Sequence, residues 1–560
     1  MHEGGDALKP VIHAAHHWFL DGCIHGMKWS QWGCLFVYIV PAPAGVHFMT
    51  APHVPIPNNS MALAAVCLSS LMFGLEISSV PAILSALERT LHGDFKDVQW
   101  VMNAYTIACT SVLMATGTLA DRYGRKRLFL IAIALFGVAS VLCGLARDMP
   151  VMIAARFLQG ATGGAMLICQ VAVLSYQFPD RAARVKAFAA WGVIFGIGLG
   201  FGPVIGGAIL ALANWQWVFL VHGPLALATL ALAWRGALES RDPNAQRLDG
   251  AGMITLSLAV FGAAYFITQG GDMGYASLPT LGIAGASALC LLAFVVVERV
   301  AACPMFDVSV FGIRTFSGAL LGSAGMNVSF WPFMIYLPLY FHGVLGYGDV
   351  AAGCSLLAYT LPTLVVPPLA ERLAHRYRPG WVIPGGLFAI GAGFFLMRWG
   401  SGVAQPSWLT MLPGCVCAGV GLGLTNTTVT NTTTGSVSSE RTGMASGIDM
   451  SARMVTLAIS IALMGQALVS GVSAYLRHVA DARAWAAANA LPLRHLAEAI
   501  AGGMPVAIDA GTARAALAHG FQWALLYGGI GVWMLAAISF LVFGPARPGC
   551  DSASCARAFT

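Results

Sequence analysis

From Met61 to Phe543 apolar stretches follow one another with only short polar interruptions. No other feature constrains the fold as much, because the hydrocarbon core of a bilayer takes about 20 apolar helical residues to cross and leaves no backbone polar group unpaired. That ruler gives fourteen expected spans, at roughly 61–86, 100–120, 128–147, 151–176, 187–212, 217–235, 250–270, 278–298, 316–341, 351–370, 381–399, 407–430, 444–472 and 520–543. Charged residues make up 10% of the chain, where soluble domains run near a quarter, so the solvent is lipid and the expected class is an all-α polytopic membrane protein. The net charge of +6 does not form a basic face for nucleic acid: Lys and Arg sit in short loops between spans.

Those loops set the expected orientation. Alternate ones carry Arg122, Arg125, Lys126 and Arg127; Arg181, Arg184 and Lys186; Arg235, Arg241 and Arg247; and Arg372, Arg376 and Arg378. Opposite loops such as Asn214 to Gln216 and Gly270 to Tyr275 are short and lack basic residues, although the first outer loop carries Arg89 and Lys96. Positive loops stay inside, which predicts both termini in the cytoplasm. Residues 1–60, rich in His and Trp and broken by Pro, are too interrupted to span; they fit either a start placed before Met49 or Met61, or a cytoplasmic tail. The segment 473–519 reads as short interfacial helices outside the membrane, and 544–560 as a cytoplasmic tail.

A repeat organises the rest. Leu119, Ala120, Arg122 and Tyr123 line up with Leu373, Ala374, Arg376 and Tyr377, each set closing the second span of its half. The halves become 61–235 and 316–543, two bundles of six spans, with 236–315 contributing a central pair of extra spans. The copies are chemically unequal, since Asp121 is matched by His375.

Four motifs carry the rest of the reading. Gly117, Leu119, Ala120, Asp121, Arg122, Gly124, Arg125, Lys126 and Arg127 form a loop in which Gly117 is expected to admit a neighbouring helix and Gly124 a tight turn. Arg156, Gln159, Gly160 and Gly163 follow in the fourth span, and Gly192, Gly198, Gly202, Pro203, Gly206 and Gly207 in the fifth, where Gly and Pro thin and bend the helix. Trp215, Gln216, Trp217, His222 and Pro224 enter the sixth.

In their order these motifs resemble the major facilitator superfamily, and within it the fourteen-span drug:proton antiporter branch. The resemblance implies a major facilitator fold, two six-helix bundles alternating access around a midplane cavity. It implies that Asp121 engages the end of a helix in the facing bundle, that Arg156 takes part in proton transfer, and that the glycine–proline helix belongs to an antiporter. Gln216 and His222 depart from the branch, where arginine and asparagine are usual. Further matches run from Pro304 and Asp307 through Thr315 and Gly318 to Tyr336, Tyr340 and Tyr347.

Charges within spans are expensive and by default functional or paired. Glu76 lies midway along the first span, where desolvation favours the protonated acid, the chemistry a proton carrier needs; its alternative is a pairing with a neighbouring helix. Arg156 either meets a buried acid or snorkels to the interface. Asp449 and Arg453, four apart, can pair on one helix face, as an anchor or in transport. Asn426 belongs to a polar stripe from Thr425 to Thr434 that could line a cavity, and Trp331, Phe333, Tyr336 and Tyr340 could stack on a flat ligand or pack the core. Cys415 and Cys417 point apart on a helix, so no metal site is expected.

The resemblance thus implies a proton-driven exporter of drug-like small molecules in the inner membrane, with no cofactor beyond the proton gradient. Its expected partners are the substrate and the bilayer, with a periplasmic adaptor and an outer-membrane channel as further candidates. Uptake or export of one metabolite or siderophore, or a receptor on the same scaffold, are the alternatives. No His-Glu-x-x-His, Gly-x-Ser-x-Gly or phosphate-binding loop points to an enzyme.

Overall fold

A computed structural model describes residues 59–241, 250–300, 308–437, 442–489, 492–502, 506 and 508–544. The N-terminal extension up to residue 58, Arg247, the 304–307 part of the seventh-span match and the C-terminal tail beyond 544 lie outside the described residues. The first half runs α1 (Asn59–Thr90), α2 (Phe95–Tyr123), α3 (Arg125–Gly144), α4 (Met149–Gln177), α5 (Arg181–Leu212), the short α6 (Gln216–Leu220) and α7 (His222–Gly236). A hairpin of α8 (Gly250–Met273) and α9 (Leu278–Val300) follows. The second half comprises α10 (Arg314–Val328), α11 (Phe330–Gly343), α12 (Asp349–Val365), α13 (Pro367–Arg376), α14 (Pro379–Ser401), α15 (Trp408–Gly435), α16 (Thr442–Leu476), α17 (Ala480–Asn489), α18 (Leu493–Gly502) and α19 (Ala510–Phe543).

Thirteen stretches among the described residues are long and apolar enough to cross a membrane. The expected second span falls on α2, a 29-residue helix that is more polar, with Gln99, Asn103, Thr106 and Thr110 buried along it. Carboxylates start several helices by accepting from orphan N–H groups of the first turn. Asp94 and Asp97 exchange bonds of 2.8 and 3.0 Å at the start of α2, and Asp148 accepts from the Val151 N–H at 2.9 Å at the start of α4.

Besides 217–235, which divides between α6 and α7 at Val221, two expected spans of the second half are broken. The segment 316–341 divides between α10 and α11 at Ser329, whose backbone (φ −120°, ψ −75°) departs from a helix, and 351–370 divides at Val366 before Pro367. Pro367 cannot donate into the preceding turn, which accounts for the second break.

The first half packs its core around Phe73, Tyr105, Phe129 and Phe136, and the second around Phe330, Tyr336, Tyr340, Tyr359 and Phe394. Glycines bring α1 and α5 together, since a Cβ on Gly198 would stand 2.9 Å from the Leu71 carbonyl oxygen and 3.0 Å from the Leu75 nitrogen. On another face α5 meets α12: Thr360 donates to the Gly200 carbonyl at 2.7 Å, and a Cβ on Gly353 would stand 2.6 Å from the Pro203 carbonyl oxygen. The glycine–proline helix therefore forms one seam between the halves, and α2 against α16 forms another. The α8–α9 hairpin lies outside both, with α8 against α2 of one half and α16 of the other, and α9 packed on α8.

The expected interfacial helices of 473–519 are α17 and α18, and α18 is docked rather than free: Leu496, Ala497, Ile500 and Ala501 are buried, and it packs on α16 and α2.

Candidate functional site

The two costly charges of the first half meet. Glu76 on α1 and Arg156 on α4 form an ion pair through Glu76 Oε1 and Arg156 Nη1, and each residue is 0% exposed. Arg156 does not snorkel. Its Nε donates to the Val101 carbonyl at 3.1 Å and its Nη1 to Gln159 Oε1 at 2.7 Å, while the guanidinium carbon sits 4.4 Å from the centre of the Tyr105 ring. Gln159 passes the chain on to Ser140 Oγ at 2.8 Å, tying α4 to α3. Gly160 permits this geometry, because a Cβ there would run into the backbone of Tyr105.

The pair is incompletely satisfied. Glu76 Oε2 and Arg156 Nη2 have no hydrogen-bond partner among the described residues, an expensive condition for buried charge. His222 Nδ1, at the start of α7, stands 3.7 Å from Glu76 Oε2. Sequence reading marked His222 only as a departure, yet it completes a cluster drawn from α1, α4 and α7.

The same α1 packs against the seam helix α5 on both sides of Glu76. Ser78 Oγ donates to the Gly74 carbonyl at 2.9 Å and to the Gly198 carbonyl of α5 at 3.0 Å. Gly202 and Gly206 face Ser78 and Ser79, while Pro203 and Gly207 are buried.

The basic loop differs from expectation in two places. A Cβ on Gly117 would stand 3.9 Å from Ile168 Cγ2, an ordinary contact, so no close helix approach requires this glycine here. Asp121 accepts from Arg125 Nε at 2.9 Å and Nη2 at 2.8 Å, engaging its own loop. Gly124 does make the turn, at φ +117°, where a side chain would be strained and would meet the Glu239 carboxylate. Glu239, missed in the sequence, accepts from the backbone N–H groups of Lys126 and Arg127 at 3.1 and 3.2 Å, placing an anion at the start of α3. Arg127 Nε lies 3.7 Å from the same carboxylate, and Arg122 is exposed beside Tyr123.

The second half holds a matching polar cluster. Arg453 reaches Asp449 Oδ2 through Nη2 at 3.0 Å, Thr430 Oγ1 at 3.0 Å, and Asn426 Oδ1; Ser323 Oγ donates to Asp449 Oδ1. This network ties α10, α15 and α16 together and is buried, so the pair is no surface anchor. The polar stripe splits between two duties: Asn426 and Thr430 bind Arg453, whereas Thr428, Asn431 and Thr432 line a cavity of about 540 Å³ with Thr315, Pro379 and Ser436. Tyr336 is committed to packing, donating to the Ile461 carbonyl at 2.6 Å and leaning on Phe95.

At the end remote from the Gly124 turn, α18 closes over the bundle. Glu498 bonds Lys96 at 3.2 Å and Arg494 at 2.8 Å, and Arg494 reaches Gln466 at 2.8 Å. Beneath it Glu88, 0% exposed, lies against Gly502, with neither carboxylate oxygen hydrogen-bonded among the described residues. Removing one member of a buried pair strands the other. Glu498→Ala is therefore expected to raise amide hydrogen exchange in 493–502 by about tenfold or more, equivalent to about 1.4 kcal/mol; unchanged exchange there would show that the pair does not hold α18 down.

Two apolar helical halves, a glycine seam between them and a buried charge cluster define a polytopic membrane protein built for alternating access. The comparisons name its family. Residues 66–462 match the Major Facilitator Superfamily, and the chain belongs to that family. It is 30% identical over 428 residues to the puromycin resistance protein pur8 of Streptomyces alboniger, covering 75% of this chain and 84% of that protein. It is 28% identical over 416 residues to the multidrug resistance protein Stp of Mycobacterium tuberculosis, covering 74% and 77%. Among solved structures, a bacterial homologue of the human lysosomal transporter Spinster, inward-facing and unoccupied, superposes with a TM-score of 0.59 at 16% identity, covering 88% of this chain and 97% of that one, a likeness of fold alone. The protein is a multi-pass protein of the cell membrane.

Proposed function

We propose that the chain is a proton-driven antiporter that exports drug-like small molecules across the cytoplasmic membrane, with the Glu76–Arg156 pair as its coupling centre. One observation carries the reading: an acid sealed at 0% exposure against a guanidinium, with an oxygen that has no hydrogen bond among the described residues, on the helix that packs against the seam helix α5. Protonation of Glu76 removes half of the pair, loosens α1 from α4 and alters the footing of the α1–α5 contact. A change of protonation thereby becomes a change in how the halves meet.

The names of pur8 and Stp support drug-like substrates. Both termini and the loop with Arg122, Arg125, Lys126 and Arg127 face the cytoplasm in this reading, with α2 as the fourteenth span. A periplasmic adaptor and an outer-membrane channel would dock at the opposite end, where α17 and α18 stand. Reconstituted into liposomes, the protein is expected to move puromycin or ethidium against its gradient when a pH gradient is imposed and to stop when a protonophore collapses it. Movement indifferent to the pH gradient would overturn the proton-driven reading, and no movement of either compound or of a broader panel the drug-export one.

A further inference from the structure

His222 is 1% exposed, and its ring is held on both sides by groups that can only accept. Nδ1 lies 3.1 Å from the Val218 carbonyl oxygen and Nε2 3.2 Å from the Met72 carbonyl oxygen. A neutral imidazole has a single N–H, so one of its nitrogens would turn a lone pair towards a carbonyl; the imidazolium donates to both. Nδ1 also faces Glu76 Oε2, the carboxylate oxygen that lacks a hydrogen bond. Phe136 covers the ring edge-on at 5.8 Å and closes the pocket from α3.

The other groups that bear on this ring are few. Glu76 comes from α1 and Arg156 from α4; Tyr105 of α2 and Cys143 of α3 flank them, the latter 3.5 Å from Gln159 Oε1. With Glu76 ionised and His222 neutral the cluster carries no net charge. One added proton makes it +1, and it can reside on Nδ1 or on Oε2. Two added protons would leave two cations, Arg156 and the imidazolium, beside a neutral acid in a dry pocket, which low dielectric forbids.

We infer that His222 and Glu76 share one exchangeable proton, with His222 as the immediate donor to and acceptor from Glu76. The inference rests on Glu76 being the coupling acid. In the transfer the Nδ1–H bond breaks and an Oε2–H bond forms; His222 becomes neutral, the carboxylate becomes a carboxylic acid, and no other reactant is consumed. The 3.7 Å separation must first shorten, by less than 1 Å, to reach hydrogen-bond distance. While the proton is on His222, Arg156 keeps its full partner; once it is on Glu76, Arg156 is released. The histidine is thus the resting place that lets the proton enter the first half before the ion pair opens.

Infrared difference spectra of the purified full-length protein across a pH series test this without any substrate. The wild type is expected to show a buried carboxyl band that Glu76→Gln removes, and an imidazole band, identified by ¹⁵N-histidine labelling, that changes in step with it. In His222→Asn, which cannot titrate but can still donate to a carbonyl, the midpoint of the carboxyl band is expected to move by about one pH unit or more, since interacting sites titrate as a pair. A midpoint unchanged in both His222→Asn and His222→Gln overturns the shared proton and leaves Glu76 standing alone. If Glu76→Gln removes no band, Glu76 does not titrate and the coupling reading falls with the inference. Should neither His222 variant survive purification, an imidazole band in the wild type that fails to follow the carboxyl band is itself the refuting result.

Discussion

Glu76→Gln is expected to reduce proton-driven efflux to background while the protein still inserts and folds. Glutamine cannot take up the coupling proton, yet its Oε1 still accepts from Arg156, which also keeps the Val101 carbonyl, Gln159 Oε1 and the Tyr105 face. The stability loss should therefore stay below the roughly 3–5 kcal/mol that follows when a buried charge is stranded outright. Arg156→Ala is the contrast, because it leaves Glu76 with only His222 nearby and should incur that full loss. Efflux in liposomes and thermal unfolding in detergent read the two effects separately. Wild-type efflux from the Glu76→Gln protein would remove Glu76 from the mechanism.

The second large effect belongs to the contact of the seam helix α5 with α1. Gly198→Val is expected to abolish transport and to destabilise the fold by about 1–3 kcal/mol or more, because the added carbons meet the backbone of Leu71 and Leu75, which cannot rotate aside as a side chain can. Gly192, in the same helix and the same motif, has open space within 4 Å of where its Cβ would be. Gly192→Ala should leave transport intact and, by stiffening the helix, be neutral or stabilising by about 0.5–1 kcal/mol. Equal losses from the two substitutions, measured as efflux and as unfolding temperature, would show that the α1–α5 contact is not set by close backbone approach.

Much of this architecture is written in local chemistry. The apolar runs declare the spans because length and hydropathy are properties of a segment, and Gly124 declares a turn because only glycine suits its backbone. Glu76 and Arg156 could each be singled out, since a charge in a span is costly wherever it lies. That they meet could not, because eighty residues separate them and only the packing of α1 on α4 brings them together. Glu239 escaped notice for the same reason: an acid after a span looks ordinary until α3 is found starting beside it. The break at Ser329 carries no local signal of the kind Pro367 supplies 38 residues later, and Gly117 looked like a packing glycine in a place where the neighbouring helix keeps its distance. Glu88 falls just past the first expected span and Glu498 within 473–519, positions that carry no local sign of burial; the docking of α18, with its buried Leu496 and Ile500, gives them their setting.

The hairpin of α8 and α9 bears on molecules that dissolve in the bilayer and approach sideways. A bundle of two halves has flanks where the halves abut, and a hydrophobic compound wandering in the leaflet would find its entrance there. On the flank between α2 and α16 it meets α8 first, with Trp100 of α2 packed at a tilt against Phe261 and Tyr265 like a shutter bolted to its frame. Lateral traffic on that side is screened by the extra pair of helices, whereas the opposite flank, where α5 meets α12, is shut by direct backbone contact, so the two flanks are closed by different means.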